Sequence, residues 1–330
     1  RRHTRYWRGW SSDVCSSDLA QEQLQAQRPI LIYNIRIIDG SGAPEYTGYV
    51  RIKDSVIVDV GRGKICARRD DSLVYGRGWV LSPGFIDTHS HHYGDLNEHP
   101  ESLATNSQGI TTIVTGQDGS GDPIDSIRAF LNRKSVAVNI ATYTGHSTLR
   151  EQAMGQDLFR TATEPELVQM KKALATEMQK GSLGLSTGLE YEEAFYSSAD
   201  EVLQLAKVAA DRGGRYISHI RSEDITLDSA IDEILNIGRV TGMPVQISHL
   251  KIGLKDKWGS AASILEKLER ARRSGIRVTA DVYPYDFWSS TLRVLFPKRD
   301  YENEESADFA VHQLFDPARS VLVQIGRAHV

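Results

Sequence analysis

The stretch SPGFIDTHSHHYGD, residues 82–95, passes from an apolar run directly into three histidines. An apolar run that follows Pro-Gly is typical of a buried parallel strand. Alternate residues of a strand share a face, so His89 and His91 are predicted to point together and His92 away from them. Paired imidazoles at the carboxyl end of such a strand suit a metal ion, although two hydrogen-bonded polar residues at a strand end are the alternative.

Seven strand candidates follow Pro83, and segments of helical periodicity separate the later ones. Thr163 and Glu166 form the capping box of one helix, and Ser198 and Glu201 begin another. Repeated βα units predict an α/β fold, a (β/α)8 TIM-type barrel of which about seven units are present. A doubly wound open sheet is the alternative, but no Gly-rich phosphate loop follows the first strand. The strand candidates are GFIDTHSH, GITTIVTG, SVAVNIATYTGH, SLGLSTGL, GRYISHI, MPVQISHLK and IRVTADVYPY.

Two more histidines occupy equivalent places in later strand candidates. His219 follows RYIS and His249 follows VQIS, one βα unit further along the chain. A lone histidine at such a place is more often a hydrogen-bonded core residue, but its repetition on three strands favours a metal site. These two histidines are therefore expected to meet the pair from the first strand in one cavity. His99 and His312 lack this context and are predicted to be surface residues.

The composition is that of an ordinary globular protein, with 40% hydrophobic residues, 25% charged residues and a net charge of −4. Neither a basic stripe nor a long apolar run is present, so no nucleic-acid or membrane partner is predicted. With two cysteines in the chain, a disulfide framework is not expected. A small molecule is the expected partner, and the oligomeric state stays open.

The two ends of the chain differ in character from its interior. DVCSSDL at 13–19 and IGRAHV at 325–330 back-translate into DNA strings that are reverse complements over most of their length and resemble a sequencing adapter. Residues 1–19 and 325–330 are therefore interpreted as artefactual tails, and the remainder as a truncated fragment. Residues 20–81 are predicted to form a small β module, part of a composite β-sandwich, and residues 82–324 the barrel. A cytoplasmic location is favoured, and a periplasmic or secreted one stays open because the true N terminus is expected to be missing.

One ordered set of motifs spans most of residues 80–295: PGFIDTHSH, GITTIVTGQDG, TYTGHSTLR, GSLGLSTGLEY, YISHIRSE, QISHLK and DVYPY. In these motifs the chain resembles the amidohydrolase superfamily of metal-dependent barrel hydrolases, and within it the D-aminoacylase branch, the N-acyl-D-amino-acid deacylases. The resemblance implies zinc-dependent hydrolysis of the amide bond of N-acyl-D-amino acids, in which metal-activated water releases a carboxylate and a free D-amino acid. The alternatives are a cyclic amidase such as a hydantoinase, a dipeptidase, and a metal-binding fragment without catalysis.

The resemblance also implies a metal site that holds one or two zinc ions. His89 and His91 would hold one position, and His219 and His249 the other, tighter one. The branch places a cysteine after the second strand, where this chain has Asp118 in the run Gly-Gln-Asp-Gly. A carboxylate is a harder donor than a thiolate and still ligates zinc, so Asp118 is expected to be a ligand, with a turn aspartate as the alternative.

Two further departures from the superfamily concern a lysine and a general base. The fourth strand candidate, GLSTGLEY, offers no lysine to bridge two metals, so Glu190 is the reserve bridging carboxylate, with a loop-facing acid as the alternative. The superfamily's general base ends an eighth strand that this chain does not reach, so its activity is expected to be impaired. Asp281, at the end of the seventh strand candidate, is interpreted as a structural or supporting carboxylate.

Substrate-binding residues follow from the resemblance as well. Lys251 lies two residues beyond His249 and is expected to pair with the α-carboxylate of an N-acyl amino acid, with Arg221 as the weaker candidate. A solvated charge at a strand end is the alternative for both. Tyr283 is expected to donate a hydrogen bond to the carbonyl oxygen as charge develops there. The expected substrate-binding set is Lys251, Tyr191, Tyr283 and Ser289.

Three residues are expected near the site without holding the metal. His146, in TGHSTLR, ends the third strand candidate and is interpreted as a structural or supporting residue. Phe287 and Trp288, in DFWSST, differ from the family's smaller residues and are expected to narrow or line the pocket. The preferred acyl group therefore stays open.

Overall fold

A computed structural model of the protein describes residues 28–314. The predicted tails at 1–19 and 325–330 lie outside these residues. The chain divides into two units, the first ending at Gly84 and the second beginning at Phe85. The boundary predicted from the sequence lies between residues 81 and 82. No helix within the described residues is long and apolar enough to span a lipid bilayer.

The first unit is a sheet of five strands. β1 lies at its centre and pairs antiparallel with β2, which in turn pairs antiparallel with β3. β1 also pairs in parallel with β4 and with the two-residue strand β5. A small apolar cluster of Ile35, Ile37 and Val50 holds the sheet together. The strands are β1 (Ile30–Ile37), β2 (Tyr46–Lys53), β3 (Val56–Arg62), β4 (Ser72–Tyr75) and β5 (Val80–Leu81).

The second unit contains seven strand positions in chain order, and every neighbouring pair is parallel. A break at Tyr143 divides the third position into two short strands, so the seven form one sheet of three strands and one of five. This parallel order confirms the predicted α/β fold. The strands are β6 (Phe85–Asp87), β7 (Ile110–Thr115), β8 (Asn139–Thr142), β9 (Thr144–Gly145), β10 (Gly184–Gly188), β11 (Arg215–His219), β12 (Val245–Ile247) and β13 (Val278–Ala280).

Helices alternate with these strands. Short 3₁₀ turns at Gly94–Asn97, Lys255–Lys257 and Leu292–Leu295, and a π-helical turn at Ala310–Leu314, complete the second unit. The helices are α1 (Leu103–Asn106), α2 (Ile124–Arg133), α3 (His146–Met154), α4 (Glu164–Lys180), α5 (Glu192–Phe195), α6 (Ala199–Ala210), α7 (Leu227–Thr241), α8 (Ala261–Arg273) and α9 (Glu304–Phe309).

Both predicted helix starts are confirmed by their hydrogen bonds. At α4, the Glu166 carboxylate accepts a bond of 2.7 Å from the backbone N–H of Thr163, which completes the capping box. At α6, the Ser198 hydroxyl accepts a bond of 3.1 Å from the N–H of Glu201. Helix α4 ends at Gly181, whose φ of +110° lies in the left-handed region that favours glycine.

The main core lies between strands β10–β13 and the apolar faces of helices α4, α6 and α7. Met170 and Leu174 of α4, Leu185 of β10 and Leu205 of α6 are fully buried there. Close packing of this kind fixes the strands relative to one another. It therefore also fixes the carboxyl ends of the strands, from which the predicted metal ligands emerge.

Candidate metal centre

The first histidine pair meets an aspartate from the next strand. β6 ends at Asp87, so His89 and His91 lie in the loop beyond it, and their convergence does not depend on strand alternation. Their Nε2 atoms are 3.2 Å apart. Oδ2 of Asp118, in the loop after β7, lies 3.5 Å from the first Nε2 and 3.3 Å from the second.

The spacing of these three atoms fits a common metal ion. Two ligand atoms that each lie about 2.0–2.1 Å from one zinc ion at a tetrahedral angle are roughly 3.3 Å apart. The separations among His89, His91 and Asp118 lie within a few tenths of an ångström of that value. The same region of backbone is unusual, because Asp118 has a φ of +56° between two glycines that also have positive φ. Aspartate is one of the few residues that tolerate this conformation.

One histidine of the second pair lies near the other oxygen of the same aspartate. His219 ends β11, and His249 follows β12. Nδ1 of His219 lies 3.0 Å from Nε2 of His249, and the latter lies 3.7 Å from Oδ1 of Asp118. This Oδ1 is buried and has no hydrogen-bond partner among the described residues. A buried carboxylate oxygen is rarely left without a partner, so the space between Asp118 and His249 suits a cation.

Two carboxylates contact the outer nitrogens of these histidines. Oδ1 of Asp281 lies 3.2 Å from Nδ1 of His89 and accepts a bond of 2.7 Å from the backbone N–H of His249. Oε2 of Glu190 lies 2.8 Å from Nε2 of His219. Such contacts select the ring tautomer that leaves the opposite nitrogen free to bind a metal. Glu190 therefore contacts the outer nitrogen of His219, and Asp118 rather than Glu190 lies beside histidines of both pairs.

Glu223 is a member of the site that the sequence did not single out. Its Oε1 lies 2.9 Å from Nδ1 of His249. Lys251 donates to both carboxylate oxygens of Glu223, at 2.6 and 2.5 Å, and its Nζ is 2.9 Å from the same Nδ1. The sequence signal that could have identified Glu223 is its place at the end of YISHIRSE, four residues after His219 on the loop that follows the strand.

The charges of this cluster depend strongly on one another. Burial disfavours protonated His89, but contacts with Asp118 and Asp281 outweigh it and raise the pKa of His89 to about 9. Burial likewise opposes protonation of His249, whose pKa is raised to about 9 by Asp118 and Glu223. Burial also opposes ionisation of Asp118, yet His249, His89 and His91 lower its pKa. Before a metal binds, the positive charges of protonated His89 and His249 thus offset the negative charges of the neighbouring carboxylates.

Each of the predicted substrate-binding residues lines one cavity of about 1600 Å³, together with both histidine pairs. The ring of Tyr191 lies 4.4 Å from that of His219, centroid to centroid. Nζ of Lys251 lies 5.9 Å from the centre of the Tyr283 ring. Ser289 lies on an exposed part of the wall. The structure therefore brings these side chains to the metal ligands, although the Lys251 ammonium is already paired with Glu223.

Arg221 and His146 lie away from the cavity. Arg221 forms a bidentate salt bridge with Glu233, with Nε–Oε2 and Nη2–Oε1 distances of 2.8 Å. The structure therefore does not support the predicted role of Arg221 in substrate binding. His146 is fully buried at the start of α3, 2.9 Å from the Glu201 carboxylate, and contacts none of the proposed ligands. Three further histidines are exposed and contact nearby acids: His92, His99 and His312.

Comparison with known proteins found relatives that are named as deacylases of N-acyl-D-amino acids. An N-acyl-D-glutamate deacylase of Alcaligenes xylosoxydans xylosoxydans is 34% identical over 299 residues, which cover 84% of this chain and 60% of the relative. The crystal structure of an N-acyl-D-glutamate deacylase from Bordetella bronchiseptica, complexed with zinc and a phosphonate inhibitor that mimics the tetrahedral intermediate, has a TM-score of 0.72 and 32% identity. That of a D-aminoacylase has a TM-score of 0.71 and 32% identity.

Both structural matches cover 78% of this chain and 58% of the other. The chain thus spans about three-fifths of the length of the relatives it matches. The model of the amidohydrolase family matches residues 77–327, which include every ligand candidate described above. The chain belongs to the amidohydrolase family.

Proposed function

We propose that this chain carries the metal-binding and substrate-binding residues of a zinc-dependent hydrolase that cleaves the amide bond of N-acyl-D-amino acids. The observation that carries the proposal is the Asp118 carboxylate. Its Oδ2 lies 3.5 and 3.3 Å from Nε2 of His89 and His91, and its Oδ1 lies 3.7 Å from Nε2 of His249. The similarity to deacylases of N-acyl-D-amino acids supports the choice of substrate.

The residues assign two metal positions that share one carboxylate. His89, His91 and Oδ2 of Asp118 would hold one ion, and His219, His249 and Oδ1 of Asp118 the other. When bound, zinc would polarise the amide carbonyl and lower the pKa of a coordinated water. A set of imidazole nitrogens and carboxylate oxygens of this kind suits zinc in a catalytic site.

The remaining side chains orient the ligands and the substrate. Asp281 and Glu190 hold the rings of His89 and His219 by their outer nitrogens, so that the inner nitrogens keep their direction. Lys251 is the cation nearest the ligands and would receive the α-carboxylate of the substrate, shared with Glu223. The hydroxyl of half-buried Tyr283 would donate to the carbonyl oxygen.

The metal assignment is tested by the zinc content of the purified chain and of single variants. His89→Ala and His219→Ala remove one ligand from each position and are expected to lower bound zinc by about one ion at the affected position. His99→Ala is the control, because His99 is exposed and contacts only Glu101. Wild-type zinc content in both ligand variants would contradict the assignment.

The substrate assignment is tested with matched enantiomers. Isothermal titration of the zinc-loaded chain with N-acetyl-D-alanine and N-acetyl-L-alanine is expected to show tighter binding of the D form. Turnover, where it is measurable, should follow the same order. Equal binding of the two enantiomers, or hydrolysis of cyclic amides alone, would contradict the assignment to N-acyl-D-amino acids.

A further inference from the structure

A row of aromatic side chains leads away from the metal ligands along one wall of the cavity. After β13 the chain continues as VYPYDFW, which places Tyr283, Tyr285 and Phe287 at alternate positions. The centroids of the first two rings are 6.3 Å apart, and those of the second and third 5.5 Å apart. We call these three residues the aromatic row. It begins beside Lys251, whose Nζ lies 5.9 Å from the first ring.

The aromatic row presents unusually large apolar surface to solvent. Tyr285 is 63% exposed and Phe287 is 67% exposed, and both line the cavity that contains the histidines. Trp258 and Trp288 line the same cavity, at 58% and 44% exposure. Several neighbouring exposed aromatic rings are a common sign of a binding surface.

The ring of Trp258 is held in place by a hydrogen bond from its indole nitrogen. Its indole Nε1 donates a bond of 3.1 Å to the carbonyl oxygen of Ile252, which immediately follows Lys251. Because the only donor of the ring is thereby satisfied by the backbone, the remaining apolar surface is free for contact with a ligand.

The positive charges that line the cavity are already paired with groups of the protein. Lys251 is bound to Glu223, and Arg293 to Glu192. The Nη atoms of Arg299 donate to the backbone carbonyls of Arg293, Phe296 and Glu190. Among the described residues, these three are the only lysines and arginines of the cavity wall, which also contains ten carboxylate side chains.

From the aromatic row and the occupied cations of the cavity wall we propose that the substrate carries a large apolar group, aromatic or long-chain alkyl. This group lies along the aromatic row. The α-carboxylate of any N-acyl amino acid already competes for Lys251. A second carboxylate on the substrate would find Arg293 paired with Glu192 and the Nη donors of Arg299 occupied by backbone carbonyls. The site therefore selects apolar substrates over the acidic ones for which two of its relatives are named. This inference rests on the proposed function and specifies its substrate class.

The apolar group can belong to the acyl part or to the amino-acid side chain, and two ligands distinguish these sources. N-phenylacetyl-D-alanine carries the ring on the acyl part, and N-acetyl-D-phenylalanine carries it on the side chain. N-acetyl-D-alanine and N-acetyl-D-glutamate complete the set as the small and the acidic reference. Binding of each to the zinc-loaded chain is measured by isothermal titration, which does not depend on turnover.

At least one aromatic ligand is expected to bind about tenfold more tightly than N-acetyl-D-alanine, because a ring becomes buried. Phe287→Ala is expected to weaken the aromatic ligand about tenfold and N-acetyl-D-alanine by less than threefold. Tyr285→Ala serves as a second variant of the row. Trp79→Ala, which removes an exposed ring from the first unit, is the control for a general loss of aromatic surface.

Tighter binding of N-acetyl-D-glutamate than of both aromatic ligands would overturn the inference and leave the proposed function intact. An equal loss for all four ligands in the Phe287 variant would overturn it as well. If zinc binds but none of the four ligands does, the proposed function fails, and this inference fails with it.

Discussion

Replacement of Asp118 by asparagine tests the role of a carboxylate that lies within 3.7 Å of His89, His91 and His249. The amide has nearly the same shape as the carboxylate but no charge, so the substitution separates electrostatics from packing. Oδ2 lies 3.5 Å from Nε2 of His89, and two unit charges at that distance interact by about 5 kcal/mol at an effective dielectric constant of 20. Zinc carries one charge more than a proton that it displaces, so about 5 kcal/mol is the reference value for one unit of charge.

The expected loss is smaller than this reference value. The amide oxygen of asparagine can still approach the ion, and the buried carboxylate no longer has to be desolvated. We therefore expect zinc affinity to fall by about 2–4 kcal/mol, or roughly 30-fold to 1000-fold. Competition with a chromogenic chelator at neutral pH measures the change in the metal-free chain.

The matched control is Asp122→Asn, four residues further along the same loop and exposed to solvent. It should leave zinc affinity within twofold of wild type. A folded Asp118→Asn variant that binds zinc within threefold of wild type would refute the reasoning, because the carboxylate would then contribute little to either metal position.

Three other predictions concern protons, an outer contact and the core. In the metal-free chain, the raised pKa of His89 and of His249, about 9 against 6.5, stabilises the fold fully below about pH 6.5, and this stabilisation is lost as pH rises through 9. Zinc must displace these protons, so titrations should show affinity rising by up to about tenfold per pH unit for each protonated imidazole; a flat profile would contradict this. Asp281→Ala should lower zinc affinity about 10-fold to 100-fold, as measured by chelator competition, because Nδ1 of His89 loses its partner; an unchanged affinity would show that the contact is dispensable. Leu174→Ala should lower the free energy of unfolding in urea by about 2–5 kcal/mol, whereas Val168→Ala, at an exposed position of the same helix, should change it by less than 1 kcal/mol; equal losses would argue against the buried packing of α4.

Features that depend on local periodicity were predictable from the sequence. The capping box at Thr163 and the N-cap at Ser198 place the starts of two helices, because these bonds join residues only three positions apart. The apolar runs that precede His219 and His249 place two strands and their carboxyl ends. These patterns need no knowledge of distant contacts.

The direction of charged side chains was less predictable. Lys251 and Arg221 occupy equivalent offsets from strand-end histidines, yet one lines the cavity and the other pairs with Glu233 on α7. Strand alternation could not distinguish them, because β12 ends at Ile247, before His249, whose φ is +35°. Beyond a strand end, side-chain direction depends on the loop and its neighbours.

The amino-acid sequence by itself determined the order of strands and helices, the family resemblance, and the positions at which histidines leave the strands. The tertiary structure alone decided which atoms meet: Nδ1 of His89 contacts Asp281, 192 residues away, and Glu223 contacts His249 on the neighbouring strand end. The physical reason is that such contacts arise from the packing of parallel strands against one core, which brings together residues that no local pattern relates.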